Sequence, residues 1–302
     1  MSDQQDDSRM VVRGAVLFCV ALAATAVMDV LVKLGSERPG PVAMLLARSL
    51  GAIVIVAPLT VARGGWGRMR PQRWGYVIIR SVLLGLGTAL FFWSLSDLTL
   101  PVAYVITFSM PIIMIGLAAL FLAERAGALG WLAALAGFAG ILLAIDLPAV
   151  VASEEGSVSL LHAGAAFTAV VFYAVALLMV RGPVAGETTE ALVVWGLIGT
   201  GAVALVLALI GELQGRPIPW PRAHEWAMLA GVAVCGAFSQ LLLTRAFQIA
   251  PASKLAPFGY TPFIWGVLFA VLIWRDWPDP TTWAGAGVII AATLIAGRAA
   301  RS

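Results

Sequence analysis

Three charged side chains stand inside apolar stretches of this chain, where a lipid-facing helix would carry none. Asp29 interrupts VALAATAVMDVLVK, Arg48 interrupts VAMLLARSLGAIVIV, and Arg80 lies two turns into WGYVIIRSVLLGLG. A charge at the centre of a membrane helix costs ~2.5–3.5 kcal/mol on insertion scales, so such residues face a partner or a wet cavity. Asp29 and Arg48 fall at similar depth on consecutive antiparallel helices, which makes an ion pair between them geometrically reasonable. Lys33 competes for Asp29 from one turn along the same helix face. Two roles are open. Either the pair locks two helices while Lys33 reaches the headgroups, or Asp29 is a cation or proton site with Arg48 as carboxylate clamp or release switch. Arg80, nearer a helix start, is an interfacial anchor or a contact for an anionic group of a ligand.

Rings with polar tips at mid-span add a second ingredient: Trp93, Tyr104, Tyr173 and Tyr260, with Phe108 beside them and Gln240 on a later segment. Such groups stack on a planar ligand or hold an ammonium or sulfonium cation by cation–π attraction; packing is the competing role for each. Pro111 and Pro262 each remove a backbone hydrogen bond from within an apolar run, which makes them hinge candidates. Glu124 and Asp276 end two such runs as gate or capping acids, with simple solvation as the alternative.

The elements that must position these groups are membrane helices. The chain has 302 residues, 61% hydrophobic and only 12% charged, with a mean hydropathy of +0.96. A soluble domain carries about a quarter charged residues. Ten apolar runs close to the ~20 residues of a spanning helix fall at about 12–34, 40–61, 74–96, 99–122, 127–146, 160–180, 190–211, 225–246, 252–274 and 281–298. Runs of this length count against a β-barrel, whose strands alternate over ~10 residues. The acid-rich start MSDQQDDSR and the absence of a small-residue cleavage site argue against a cleaved signal peptide. Cys19 and Cys235 sit inside spans and read as packing residues. Twelve of the 19 basic residues fall on the side of the chain ends, five on the other and two within spans. The positive-inside rule then places both termini in the cytoplasm. No nucleotide-binding loop and no metal or nucleophile–base motif is present, His162 and His224 lying near span ends, so an enzyme is the weaker reading and nucleic acid is not a partner.

The apolar pattern is told twice. Pro101 falls opposite Pro251, Pro111 opposite Pro262, Glu124 opposite Asp276 and Trp131 opposite Trp283, while VLVK ending at Lys33 lies opposite LMVR ending at Arg181. Five spans per repeat put the halves upside down to each other, an arrangement that supports alternating access to a midplane site. The expected fold is an all-α membrane protein of ten transmembrane helices in two inverted five-helix repeats, residues 12–146 and 160–298. Small-residue ladders (Ala136, Gly140, Ala144; Gly287, Ala291) mark helices 5 and 10 as a scaffold or a homodimer surface.

With these features the chain resembles the drug/metabolite transporter superfamily, as two EamA-type repeats over nearly its whole length. More narrowly it is similar to the bacterial subgroup that includes S-adenosylmethionine uptake transporters. The residues that carry the likeness are Asp29-Val-Leu-Val-Lys33, Arg48, Arg80, FSMP ending at Pro111, LAER through Glu124, AFQIAPASKLAPFGY to Tyr260, and Trp277-Pro278-Asp279. The family's helix-4 glutamate corresponds to Glu124; its helix-9 counterpart is here the shorter Asp276. The resemblance implies a secondary transporter of the inner membrane, without cofactor, moving a small organic metabolite that is S-adenosylmethionine-like or amino-acid-like. Coupling to a proton or a counter-substrate goes with it. Export of drugs or metabolites and flipping of a lipid-linked substrate are the alternatives.

Overall fold

The computed structural model describes residues 2–35, 40–98, 100–145, 159–216 and 221–299. Among the described residues ten apolar helices follow one another: α1 Ser8–Leu31, α2 Val42–Ala62, α3 Trp74–Ser94, α4 Val102–Leu122, α5 Ala128–Ala144, α6 Leu160–Leu178, α7 Thr189–Leu213, α8 Glu225–Ile249, α9 Ala252–Trp274 and α10 Pro280–Arg298. Nine are long and apolar enough to cross a bilayer; α5 is a shorter apolar helix of 17 residues. No strand occurs among the described residues. The protein is a multi-pass membrane protein. Backbone polar groups in hydrocarbon must be satisfied within their own segment, which leaves helices as the form these apolar runs can take.

Two of the expected bounds shift. Helical backbone reaches back to Ser2, so the polar start continues α1 instead of trailing from it. The fifth span was expected to reach residue 146, which lies outside the described residues.

Successive helices alternate in direction. The connections 2–3, 4–5, 6–7 and 8–9 therefore meet on the face that carries both chain ends, here the terminal face. The described end of α3 and start of α6 meet on the other face, here the opposite face.

The helices that matter for the site are the irregular ones. α2 contains a π-helical turn at Ala47–Gly51, with Arg48 in it. Such bulges often mark functional positions. α4 breaks at Ser109 into Leu100–Phe108 and Met110–Leu122, with Pro111 opening the second piece. α9 passes through a 3-10 stretch, Ala256–Tyr260, before Pro262 starts its next helical piece. The cause is shared: proline donates no N–H, so the turn before it must be held otherwise. At Pro262 the Thr261 hydroxyl donates to Phe258 O at 2.8 Å, taking the place of the missing donor. At Pro111 the Ser109 hydroxyl donates to Ile106 O at 2.6 Å.

α4 and α9 also end alike. Ala123 and Arg275, at φ 53° and 54°, are the non-glycine residues in the left-handed region among the described residues. The next N–H in each case, Glu124 or Asp276, donates back to Ala118 O or Ala270 O at 3.2 Å. A non-glycine residue held there costs on the order of 1 kcal/mol, and it occurs at matching places in both repeats.

α5 and α10 pack directly on each other. A Cβ on Gly140 would stand 2.9 Å from both Gly285 O and Ile289, so a hydrogen at this position is what lets the two backbones approach. Gly140 and Ala144 of the α5 ladder thus serve contact within the chain, against Gly285 and Ile289 of α10, whereas Gly287 and Ala291 of the expected α10 ladder are exposed and a Cβ on Gly287 would meet nothing within 4 Å.

Candidate functional site

Asp29, near the opposite-face end of α1, is exposed, while Met28 beside it is buried. α2 brings Arg48 toward it. The Arg48 stem runs against α8, where a Cβ on Gly236 would stand 3.0 Å from Arg48 Cγ and 3.8 Å from Met28 Sδ. The charges of Asp29 and Arg48 act on each other without forming a direct ion pair among the described residues. Gln240, half-buried, stands one turn beyond Gly236 on α8 and so shares its face.

Aromatic and hydroxyl groups complete the surroundings. Tyr104, in the first piece of α4 and near its start, is 51% exposed and lies in the field of Asp29. Its ring centroid is 6.4 Å from that of Phe108. Tyr173 on α6 lies in the field of Arg48 and shares a 2.7 Å hydrogen bond with Thr88 on α3. Ser49, next to Arg48, is held to Thr200 on α7 at 3.1 Å. One group therefore contains an acid, a base, two phenols and an amide, drawn from α1, α2, α4, α6 and α8. Its chemistry is that of binding: opposite charges that do not quench each other, with ring faces and hydroxyls between. Among the described residues no set of three or more His, Cys, Asp or Glu could hold a metal ion.

Other residues expected at the site are placed elsewhere. Arg80 is 3% exposed and stands apart from the group around Asp29. Its Nε donates to Ala176 O at 3.0 Å and one terminal nitrogen to Leu192 O at 2.9 Å. Ala176 O belongs to the last turn of α6, where carbonyls lack helical donors, so Arg80 ties α3 to α6 and α7. Tyr260 is fully buried and donates to Ala134 O of α5 at 2.8 Å, its ring seated over Gly137. Phe108 stacks on it at 6.4 Å and so touches both this buried ring and Tyr104. Trp93, 45% exposed, meets His162 at 4.9 Å between centroids, towards the opposite face. His162 Nδ1 lies 3.3 Å from Asp97 and 2.8 Å from the Ser159 hydroxyl, joining the α3 and α6 ends.

The terminal face is tied shut. Glu124 accepts from Arg181 Nε at 2.6 Å and from the Ser253 N–H at 3.1 Å, clasping the end of α4 to the end of α6 and the start of α9. Glu187 accepts from the backbone N–H of Gln72 and Arg73 at the start of α3, at 2.6–3.0 Å. Gln248 at the end of α8 donates to Glu187 O at 3.0 Å. Arg68 pairs with Glu190 at 2.9 Å. Thr88, Arg181 and Glu187 were not singled out as site residues from the sequence. Arg181 had a signal in the repeat, where it matches Lys33; a threonine inside a helix and an acid between two spans carry none.

The geometry belongs to a helical membrane carrier, and the comparisons agree. The EamA-like transporter family model matches residues 12–145 and 161–298. The chain belongs to that family. It is similar to a riboflavin transporter of Vibrio cholerae, 27% identical over 92% of this chain and 90% of that one. It is similar to an S-adenosylmethionine uptake transporter of Rickettsia bellii, 25% identical over 92% and 90%. A pseudopaline exporter of Pseudomonas aeruginosa is 27% identical over 94% and 96%. A crystal structure superposes with a TM-score of 0.80 at 17% identity, covering 95% of this chain and 98% of that one, and speaks for the fold alone. These named relatives are transporters and exporters of small metabolites, and a lipid-linked flippase finds no support among them.

Proposed function

We propose that this protein is a secondary active transporter that carries a small organic metabolite across the inner membrane by alternating access. On this reading both termini are cytoplasmic, and the residues 12–146 and 160–298 act as the two inverted repeats. The observation that carries the proposal is Asp29 and Arg48 inside apolar spans, of opposite sign and with no direct ion pair between them, with Tyr104 exposed in the field of the acid. Asp29 would take a cationic centre, Arg48 a carboxylate, and Tyr104 and Phe108 a planar ring. A molecule with an amino-acid head and an aromatic or sulfonium-bearing body, S-adenosylmethionine-like, fits that set. Tyr173 and Gln240 line the same group, and Trp93 stands towards the opposite face. Asp29 is also where a coupling proton or a counter-substrate would exchange. Binding of a charged ligand and empty-carrier return can then be coupled without any cofactor.

The test is uptake into proteoliposomes of labelled S-adenosylmethionine, riboflavin and a set of amino acids. Saturable uptake of a compound bearing both ammonium and carboxylate is expected. Its carboxamide analogue should compete about tenfold or more weakly, since a charge-assisted hydrogen bond to Arg48 is lost. Riboflavin as the sole transported compound would contradict the zwitterion reading. Export of such metabolites is the second reading; vesicles of the opposite orientation, accumulating the same compound, would favour it.

A further inference from the structure

The clasp at the terminal face has a counterpart in sequence and backbone that the structure holds apart. Glu124 follows a left-handed residue at the end of α4, with its N–H returned to Ala118 O, and from there reaches Arg181 and the Ser253 N–H. Asp276 leaves α9 by the same turn, after Arg275, with its N–H returned to Ala270 O. In the repeat, Lys33 stands where Arg181 stands, and Ala103 at the start of α4 stands where Ser253 stands at the start of α9. Lys33 is already beside this helix end, its Nζ 4.1 Å from the centre of the Trp274 ring, two residues before Asp276. Yet Asp276 makes no ion pair among the described residues, and the start of α4 is packed on α6 and α5 with no comparable interface to the end of α9. Among the described residues, then, the terminal face carries a clasp that has no counterpart between Asp276, Lys33 and the start of α4 on the opposite face.

Resting on the transporter reading, we propose that Asp276 is the acid of a second clasp. In the other access state it pairs with Lys33 and draws the end of α9 onto the start of α4 at Ala103, as Glu124 does with Arg181 and Ser253. Inverted repeats exchange conformations when access alternates, so what one half forms at one face the other half forms at the other. Only one clasp is closed at a time. Asp276 is one methylene shorter than Glu124 and lysine replaces arginine, so the opposite-face clasp is the weaker of the two and reopens more readily. The cation–π contact over Trp274 keeps Lys33 at the end of α9, within reach of the acid.

The test uses the full chain in proteoliposomes with Cys19→Ser and Cys235→Ser, and Tyr104→Cys as a reporter labelled by a membrane-impermeant maleimide from the opposite face. Asp276→Asn and Lys33→Gln should each raise the labelling rate about two- to fivefold, the factor expected for loss of one partly solvated ion pair. The exchanged pair Lys33→Asp/Asp276→Lys should return it to the parent rate. Independently, Lys33→Cys/Asp276→Cys without the reporter should form a disulfide under copper phenanthroline, and flux should stop until reductant is added. Unchanged labelling in Asp276→Asn, or no disulfide in the cysteine pair, overturns the clasp. Flux persisting with labelling unchanged removes the clasp and keeps the transporter. Labelling that shifts as expected, with no compound carried by the natural chain that keeps Tyr104, removes the transporter and keeps the clasp.

Discussion

Asp29→Asn is expected to lower uptake of the transported compound about 30-fold while leaving membrane expression and thermal unfolding unchanged. Asparagine keeps the shape and one carbonyl acceptor but removes the charge that answers Arg48 and a ligand cation. Loss of one partner of a desolvated charge pair costs about 2–5 kcal/mol. Asp29 is exposed, so water from the cavity screens it and the low end, about 2 kcal/mol, applies. Folding should be nearly untouched, because the carboxylate holds no hydrogen bond to another helix among the described residues. Surface-like positions of that kind change stability by about 0.5 kcal/mol or less. Measured side by side, flux and unfolding temperature separate the two roles that the sequence leaves open for this acid. A variant that carries substrate at the parent rate would make Asp29 a structural residue. A variant that fails to reach the membrane would do the same.

Glu124→Gln is expected to open the terminal face. The carboxylate is the shared acceptor for Arg181 and for the first turn of α9, with side-chain exposures of 13% for Glu124 and 27% for Arg181. Glutamine can still accept the Ser253 N–H but leaves Arg181 without its counter-charge. A hydrogen bond to a charged group contributes about 1.5–3 kcal/mol; with Arg181 partly solvated the lower half of that range is appropriate. An equilibrium between two access states should then move about tenfold. In the cysteine-free background, labelling of Tyr104→Cys from the opposite face should fall. Labelling of Ser253→Cys from the terminal face should rise, because Ser253 is buried in the clasped structure and release of its backbone from Glu124 would uncover it. Both rates unchanged would mean that Arg80 and Glu187 keep this face closed without Glu124. That outcome is coherent physically, since Glu187 holds α3 and α8 by separate hydrogen bonds.

The asymmetry between the two halves has a consequence for mechanism. The prolines, the left-handed residues and the terminal acids recur in both repeats, so the moving frame is common to them. The charged pair of the site is not: Asp29 and Arg48 both belong to the first repeat. On the proposed mechanism, rocking would involve both repeats, while the two charges of the binding group come from one of them. The π-turn at Ala47–Gly51 is the local irregularity that accompanies it.

The reach of the sequence follows from what each signal measures. Asp29 and Arg48 were legible because a charge in an apolar run is costly, and cost alone marks it. Pro111 and Pro262 were legible because a missing donor must disturb a helix, and both helices break within two residues of them. Arg80 and Tyr260 show the limit. Sequence gives depth along a helix, whereas azimuth is set by the neighbours that tertiary packing supplies. For Arg80 these are backbone carbonyls of α6 and α7, which no residue pattern records. For Tyr260 it is the bare surface of Gly137 and the carbonyl of Ala134. Arg181 and Glu187 lie at helix ends and resemble solvated loop residues until the opposing helices are brought to them. The comparison of repeats could have found Arg181, since it matches Lys33 as Glu124 matches Asp276.

The central claim is that one binding group faces each side of the membrane in turn, and counterflow measures that directly. Proteoliposomes preloaded with unlabelled transported compound are diluted into a trace of the labelled form, with no ion gradient imposed. The account predicts a transient accumulation of label above the external concentration, absent in Asp29→Asn. Uptake that rises only to equilibrium, at the same rate with or without preloading, would show a passive pathway and contradict it.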